Sequence, residues 1–178
     1  MEFSPLVIQL FGAIGYLLLA NSYFSKKKER LLIVQIISNV FLTIHYLFLA
    51  GLAGAICDIV CIFAGILIYL HDKFNLNLKK ALAVVLVLIM VISVFITFKL
   101  TNTSFSFKEI FPMFATIMVV VSLVSNNKNL IRLVGLVAAI CWLVYGIVFG
   151  SIAGIIFEII IIASTLISYI RGKMHPGE

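Results

Sequence analysis

Seven long apolar runs, separated by breaks of a few polar residues, constrain this chain more than any other feature of its sequence. A segment crossing about 30 Å of hydrocarbon needs roughly 20 apolar residues. Backbone at that depth has no water to bond, so a lone segment is driven to the α-helix. The runs fall at 5–24, 31–49, 53–70, 81–98, 110–124, 130–149 and 152–170. In a chain of 178 residues they leave no room for a separate soluble domain. Composition agrees: 63% of residues are hydrophobic and only 11% charged, which excludes a soluble globule or a disordered segment. Met1-Glu-Phe-Ser-Pro5 carries no positive region, so no cleavable leader is expected.

The net charge of +6 has to reside in the breaks. Eleven of the 13 Lys and Arg fall on one side of the predicted arrangement, in loop 25–30, in loop 71–80, at Lys128 and Arg132, and at Arg171 and Lys173. Only Lys99 and Lys108 fall on the other. By the positive-inside rule the N-terminus is expected outside and the C-terminus in the cytoplasm, which requires an odd number of crossings. Nucleic acid is not an expected partner, because the basic residues form no soluble face. Cys57, Cys61 and Cys141 sit inside apolar runs, without the clustered His or carboxylate partners of a zinc site, and read as packing residues. No metal and no cofactor is expected.

The sequence repeats itself at an offset of 100. Phe11 aligns with Phe111, Ser22 with Ser122, Lys28 with Lys128, Ala53-Gly54 with Ala153-Gly154, Tyr69 with Tyr169 and Lys73 with Lys173, without a gap. Asp58 aligns with Glu158, and His45 with Tyr145. The offset spans four crossings, an even number, so the repeats are parallel. The predicted fold is therefore all-α, with seven transmembrane helices in a 3+1+3 layout. Residues 1–73 form the first three-helix bundle, 74–109 a linker with the fourth, inverting helix, and 110–178 the second bundle with a short tail. SWEET sugar transporters share this layout, and parallel-repeat transporters place their sites at the repeat interface.

Four segments carry a more specific resemblance: Gln9-Leu-Phe-Gly12, Ile44-His45-Tyr46-Leu47-Phe48-Leu49-Ala50-Gly51, Cys141-Trp142 and Gly150-Ser-Ile-Ala-Gly-Ile-Ile-Phe-Glu158. Over most of its length the chain resembles the YgjV-type bacterial inner membrane protein family. The resemblance implies location in the inner membrane and a fold related to the SWEET and PQ-loop transporters. The chain lacks the Pro-Gln pair that names the PQ-loop group, and Pro112 has Gly12 as its repeat mate.

Polar residues at membrane depth are the candidate site. A carboxylate at a helix centre costs about 2.5–3.5 kcal/mol on insertion scales, so it marks function or a paired structural role. Asp58 and Glu158 each follow a glycine by four residues, and both acids could face a shared space. They would bind a cationic group or a proton there, with His45, Tyr145 and Asn39 as further binding or proton-coupling candidates; alternatively each acid is held within its own bundle by Asn39, His45 or Tyr145. Trp142 is read either as a stacking platform or as a bundle aromatic. Asn21, Ser22 and Ser122 near the cytoplasmic ends, with Pro112, are gate candidates, capping being the plain alternative for the first three. Gly146, Gly150 and Gly154 have the four-residue spacing that lets helices approach closely. It is read as serving a tight turn, and homo-oligomerisation is left open.

Soluble-enzyme motifs are missing from the sequence and no nucleophile–base pair stands out, so no catalytic residue is assigned. The expected activity is movement of a small polar solute across the bilayer by alternating access between the two bundles. The rival is a membrane sensor or a structural subunit of a membrane complex.

Overall fold

Two tight turns set the geometry of the chain. At the first, Ala50 takes a left-handed φ of 57°, and at the second Gly150 takes 69°. The hydrogen bonds around them match at the offset of 100. Gly51 N–H donates to the Tyr46 carbonyl at 2.8 Å, and Ser151 N–H to the Gly146 carbonyl at 2.9 Å. Ala55 N–H reaches the Gly51 carbonyl at 3.0 Å, and Ile155 N–H the Ser151 carbonyl at 2.9 Å. A left-handed residue followed by a six-to-one bond closes a helix C-terminus and turns the chain sharply back.

The computed structural model describes residues 4–23, 25, 28–74, 79–100, 106–124 and 128–174. Its helices are α1 Pro5–Tyr23, α2 Lys28–Phe48, α3 Leu52–Lys73, α4 Lys79–Leu100, α5 Ile110–Val124, α6 Lys128–Phe149 and α7 Ile152–Met174. A 3₁₀ turn, Phe107–Glu109, leads into α5. There is no strand among the described residues. The helix ends lie within four residues of the apolar runs read from the sequence. Lys26 and Lys27 of the basic loop 25–30, the Asn75 and Asn77 of the next loop, residues 101–105 and the end of the tail lie outside the described residues.

Three helices are long and apolar enough to cross a membrane among the described residues, over Pro5–Ser22, Glu29–Phe48 and Leu52–Lys73. Shorter apolar stretches lie on α4, α6 and α7, over Ala83–Ile96, Leu133–Phe149 and Ile152–Ile167. The outward faces explain the apolar excess. On α4, Leu86, Met90, Val94 and Phe98 form a buried stripe at four-residue spacing. They pack on Ala53, Cys57, Val60 and Ala64 of α3 and Met113 of α5. Val84, Val85, Leu88, Ile89, Ile92, Phe95 and Ile96 of α4 are exposed. A helix apolar all round needs lipid or protein on every side.

In sequence order, α1 packs on α2 and α2 on α3; likewise α5 packs on α6 and α6 on α7. The triplets meet along two seams, α1 against α7 and α3 against α5, while α4 lies on α3 and α5. Glycine makes the seams and turns close. A methyl group at Gly54 would lie 2.5 Å from Tyr145 Cε1, and one at Gly12 would lie 2.7 Å from His45 Cε1. At Gly135 it would meet nothing within 4 Å.

Those distances set a stability test. Gly54→Ala and Gly12→Ala are expected to cost about 1–3 kcal/mol by overpacking, whereas Gly135→Ala stays near neutral. Thermal unfolding of the purified protein in detergent measures it. Equal midpoints for all three variants would mean that Tyr145 and His45 do not lie against these glycines.

Candidate functional site

The site begins with one helical turn. On α3 and on α7 a buried glycine is followed four residues later by an acid, so Gly54 and Asp58 share one face, as do Gly154 and Glu158. Both acids are deeply buried: Asp58 is 4% exposed and Glu158 5%. Asp58 Oδ2 and Glu158 Oε2 have no hydrogen-bond partner among the described residues. Asp58 lies within electrostatic reach of Glu158. Both acids act in turn on the hydroxyls of Tyr16 of α1 and Tyr46 of α2. The two carboxyls read from the sequence thus share one neighbourhood. Of the intrabundle partners weighed for the two acids, His45 and Tyr145 are engaged elsewhere. Asn39 is half-buried, with its carbonyl accepting from Thr43 Oγ1 at 2.8 Å.

A chain of hydroxyls leads away from the acids. Tyr16 and Tyr46 hydroxyls lie 2.9 Å apart, and Tyr46 is within hydrogen-bonding reach of Ser151. Ser151 Oγ is 2.7 Å from His45 Nε2, and His45 Nδ1 is 2.8 Å from the Ile8 carbonyl. A carbonyl only accepts, so Nδ1 carries the ring proton and, in the neutral ring, Nε2 accepts from Ser151. Ser151 Oγ in turn accepts from Gly154 N–H at 3.1 Å, as a residue capping the start of α7 does. Either hydroxyl of the Tyr16–Tyr46 pair can donate to the other.

Corresponding contacts occur on the other seam. Tyr145, 100 positions after His45, accepts from Gly54 N–H at 2.9 Å and donates to Glu109 Oε2 at 3.4 Å. The Glu109 carboxyl also takes a backbone hydrogen bond at Ala53. Gln9, 100 positions before it, holds the opposite turn: Gln9 Nε2 donates to the Gly150 carbonyl at 2.8 Å, and Ile152 N–H donates to Gln9 Oε1 at 3.1 Å. Likewise Tyr16 stacks 4.8 Å from Phe157 of α7, while its mate Thr116 lies beside Cys57 of α3. In each case a residue of one triplet contacts the other triplet, and its mate answers from the opposite side.

The remaining candidates fall in different places. Trp142 is half-buried, stacked 5.6 Å from Tyr46 and edge-on 5.9 Å from Tyr145, among bundle aromatics. Pro112 is fully buried near the start of α5. Ser22 is buried and donates to the Leu19 carbonyl of its own helix at 2.6 Å, whereas Asn21 is exposed. The Ser122 side chain lies outside the described residues. Sequence reading passed over Gln9, Tyr16, Tyr46, Glu109 and Ser151. One usable signal was there: the offset of 100 pairs Gln9 with Glu109, two polar residues at the edge of apolar runs.

No nucleophile–base pair stood out in the sequence, yet Ser151 and His45 make a hydrogen-bonded serine–histidine pair across 106 positions of chain. The pair is fully buried, and Ser151 Oγ is already engaged by Gly154 N–H. That arrangement ties a helix start to α2 and α1. No group of three or more His, Cys, Asp or Glu suited to a metal ion occurs among the described residues.

Glu109 sits outside the helical runs, and its protonation is readable. Burial raises its carboxyl above the ordinary value, while the Tyr145 hydroxyl, Lys108 and the Ala53 amide oppose the rise. The folded protein therefore holds this proton more tightly than the unfolded chain. Stability from this group is full below the ordinary value of about 4.3 and declines as pH rises toward the raised value. The parent is expected to lose stability relative to Glu109→Gln across that window, read from unfolding midpoints between pH 4 and 7. Parallel curves would place Glu109 in water.

Neither curated proteins nor solved structures gave a match to the chain. The family model Imp-YgjV, described as a bacterial inner membrane protein, matches residues 6–175. A match that takes in all the helices but their extreme ends shows that the chain belongs to the Imp-YgjV family of bacterial inner membrane proteins.

Proposed function

We propose that the protein carries a small polar solute across the inner membrane by alternating access between two parallel three-helix repeats, α1–α3 and α5–α7. In this reading all seven helices cross the bilayer, and α4 returns the chain so that the second repeat has the orientation of the first. The eleven-to-two split of Lys and Arg then places the N-terminus outside and the C-terminus in the cytoplasm. The observation that carries the proposal is a pair of buried acids with unpartnered oxygens, set where two halves meet through contacts related by the offset of 100.

The two ends of the halves differ in what holds them together. At the turn end, Gln9 and Glu109 each bind the opposite triplet, and Tyr145 and Ser151 hold the first-turn amides of α3 and α7. This end is the outer one in the proposed topology, so the structure corresponds to a state closed toward the outside. Opening it requires breaking only the few polar contacts that run between the repeats: Gln9 with residues 150 and 152, Tyr145 with Gly54, Glu109 with Ala53 and His45 with Ser151. The apolar faces of α1–α3 and of α5–α7 can then stay packed as units, as rigid-body rocking demands.

A lock on the turn end tests this reading. In a variant whose three cysteines are replaced, Gln9→Cys and Ile152→Cys joined by a short bifunctional thiol reagent should abolish uptake into proteoliposomes. Screening should cover sugars, amino acids, nucleosides and cations. Each single cysteine treated alike should keep the parent rate. Uptake that is unchanged by the cross-link would reject alternating access at this seam, and no uptake of any solute by the parent would reject transport. Accessibility labelling that placed loop 25–30 outside would reverse the orientation.

A further inference from the structure

We infer that the Asp58–Glu158 site binds a small primary ammonium cation, held by N–H donors on the two unpartnered carboxyl oxygens. This deepens the reading of the same site as solute-binding, and names the class of solute. The reasoning starts from charge. Two carboxyls, 4% and 5% exposed, lie within electrostatic reach of each other. The titratable groups acting on them are Tyr16 from α1, Tyr46 from α2, and Cys57 and Cys61 from α3 itself. None of these carries positive charge. An isolated buried carboxylate is among the costliest groups to place in a protein, and it is tolerated when paired or neutralised. The neighbouring groups provide no such countercharge, so an occupant or a proton has to.

The shape of the deficit selects the occupant. Asp58 Oδ2 and Glu158 Oε2 are acceptors that need a donor. A neutral sugar offers hydroxyl donors but no charge. An ammonium head offers three donors and one positive charge, which answers one ionised carboxyl while the other keeps a proton. The surrounding groups suit it too. Tyr16 packs on Phe157 at 4.8 Å and Tyr46 on Trp142 at 5.6 Å, so the tyrosines within electrostatic reach of both acids belong to aromatic pairs, and cations are attracted to aromatic faces. Calcium and magnesium want six or more oxygens, and the described residues hold no cluster suited to a metal ion. The Tyr16 hydroxyl lies against Gly154, which precedes Glu158 by one turn of α7.

Binding is measured on the intact protein in detergent, apart from any transport, by thermal shift and calorimetry with methylammonium. Tetramethylammonium, sodium, potassium and a neutral monosaccharide are the comparisons. Methylammonium should raise the unfolding midpoint in a saturable way, and tetramethylammonium, with the charge but no N–H donor, should not. Asp58→Asn and Glu158→Gln should each weaken binding roughly 10- to 100-fold, as expected from the loss of one charge-assisted hydrogen bond. Should a variant not fold, competition in the parent decides: methylammonium binding should weaken as pH falls, because protons occupy the same oxygens. Equal effects from sodium, potassium or tetramethylammonium, a response to the monosaccharide alone, or no response to methylammonium would each overturn the inference. Binding of methylammonium without its uptake by proteoliposomes would leave the site assignment standing and remove the transport reading.

Discussion

Backbone amides at a helix start have no partner within the helix, and inside a membrane they have no water. At α3 and α7 this constraint meets sharp turns at Ala50 and Gly150, which leave no length of loop to supply caps. The partners come from the other triplet or from the turn itself. Tyr145 takes the Gly54 amide, Glu109 takes Ala53, Gln9 takes Ile152, and Ser151, tied to His45, takes Gly154. Each contact needs the backbone to come close, which is why glycine stands at positions 12, 54 and 154 against a histidine, a tyrosine and a serine–tyrosine pair. The halves are joined because each completes the other's helix starts.

One turn deeper the situation is reversed. Gly54 to Asp58, and Gly154 to Glu158, is four residues, or about 6 Å along the axis. Over that step the structure passes from backbone groups that are fully partnered to carboxyl oxygens that have none. Polar pairing is thus concentrated at the turn end and withheld from the acids. A protein built only for stability would gain by replacing such acids with apolar residues. In the proposed reading they are kept for an occupant.

The apolar excess of the chain has a plainer cause. Leu86, Met90, Val94 and Phe98 of α4 seal the α3–α5 seam from outside, and Val84, Val85, Leu88, Ile89, Ile92, Phe95 and Ile96 face outward. Nothing polar on the buried stripe of α4 reaches the acids. The helix closes one side of the assembly, as suits an element whose role in the proposed layout is to return the chain.

The sequence by itself determined the helices, their ends to within four residues, the two tight turns and the positions of Asp58 and Glu158. These are local properties: apolar run length, turn residues and the cost of a carboxylate in hydrocarbon, each visible in a short window. It also displayed the offset of 100 through Gly54 and Gly154, His45 and Tyr145. The tertiary structure alone decided which polar groups meet. Gln9 finds residues 150 and 152, His45 finds Ser151, Tyr16 finds Tyr46, and Tyr145 finds Gly54 and Glu109. These partners stand on different helices, and their meeting depends on how each helix is rotated about its axis. In a helix apolar on every side, no hydrophobic stripe records that rotation. It is set by close packing at glycines and by the demand that buried amides be paired, and both arise only when the helices are together.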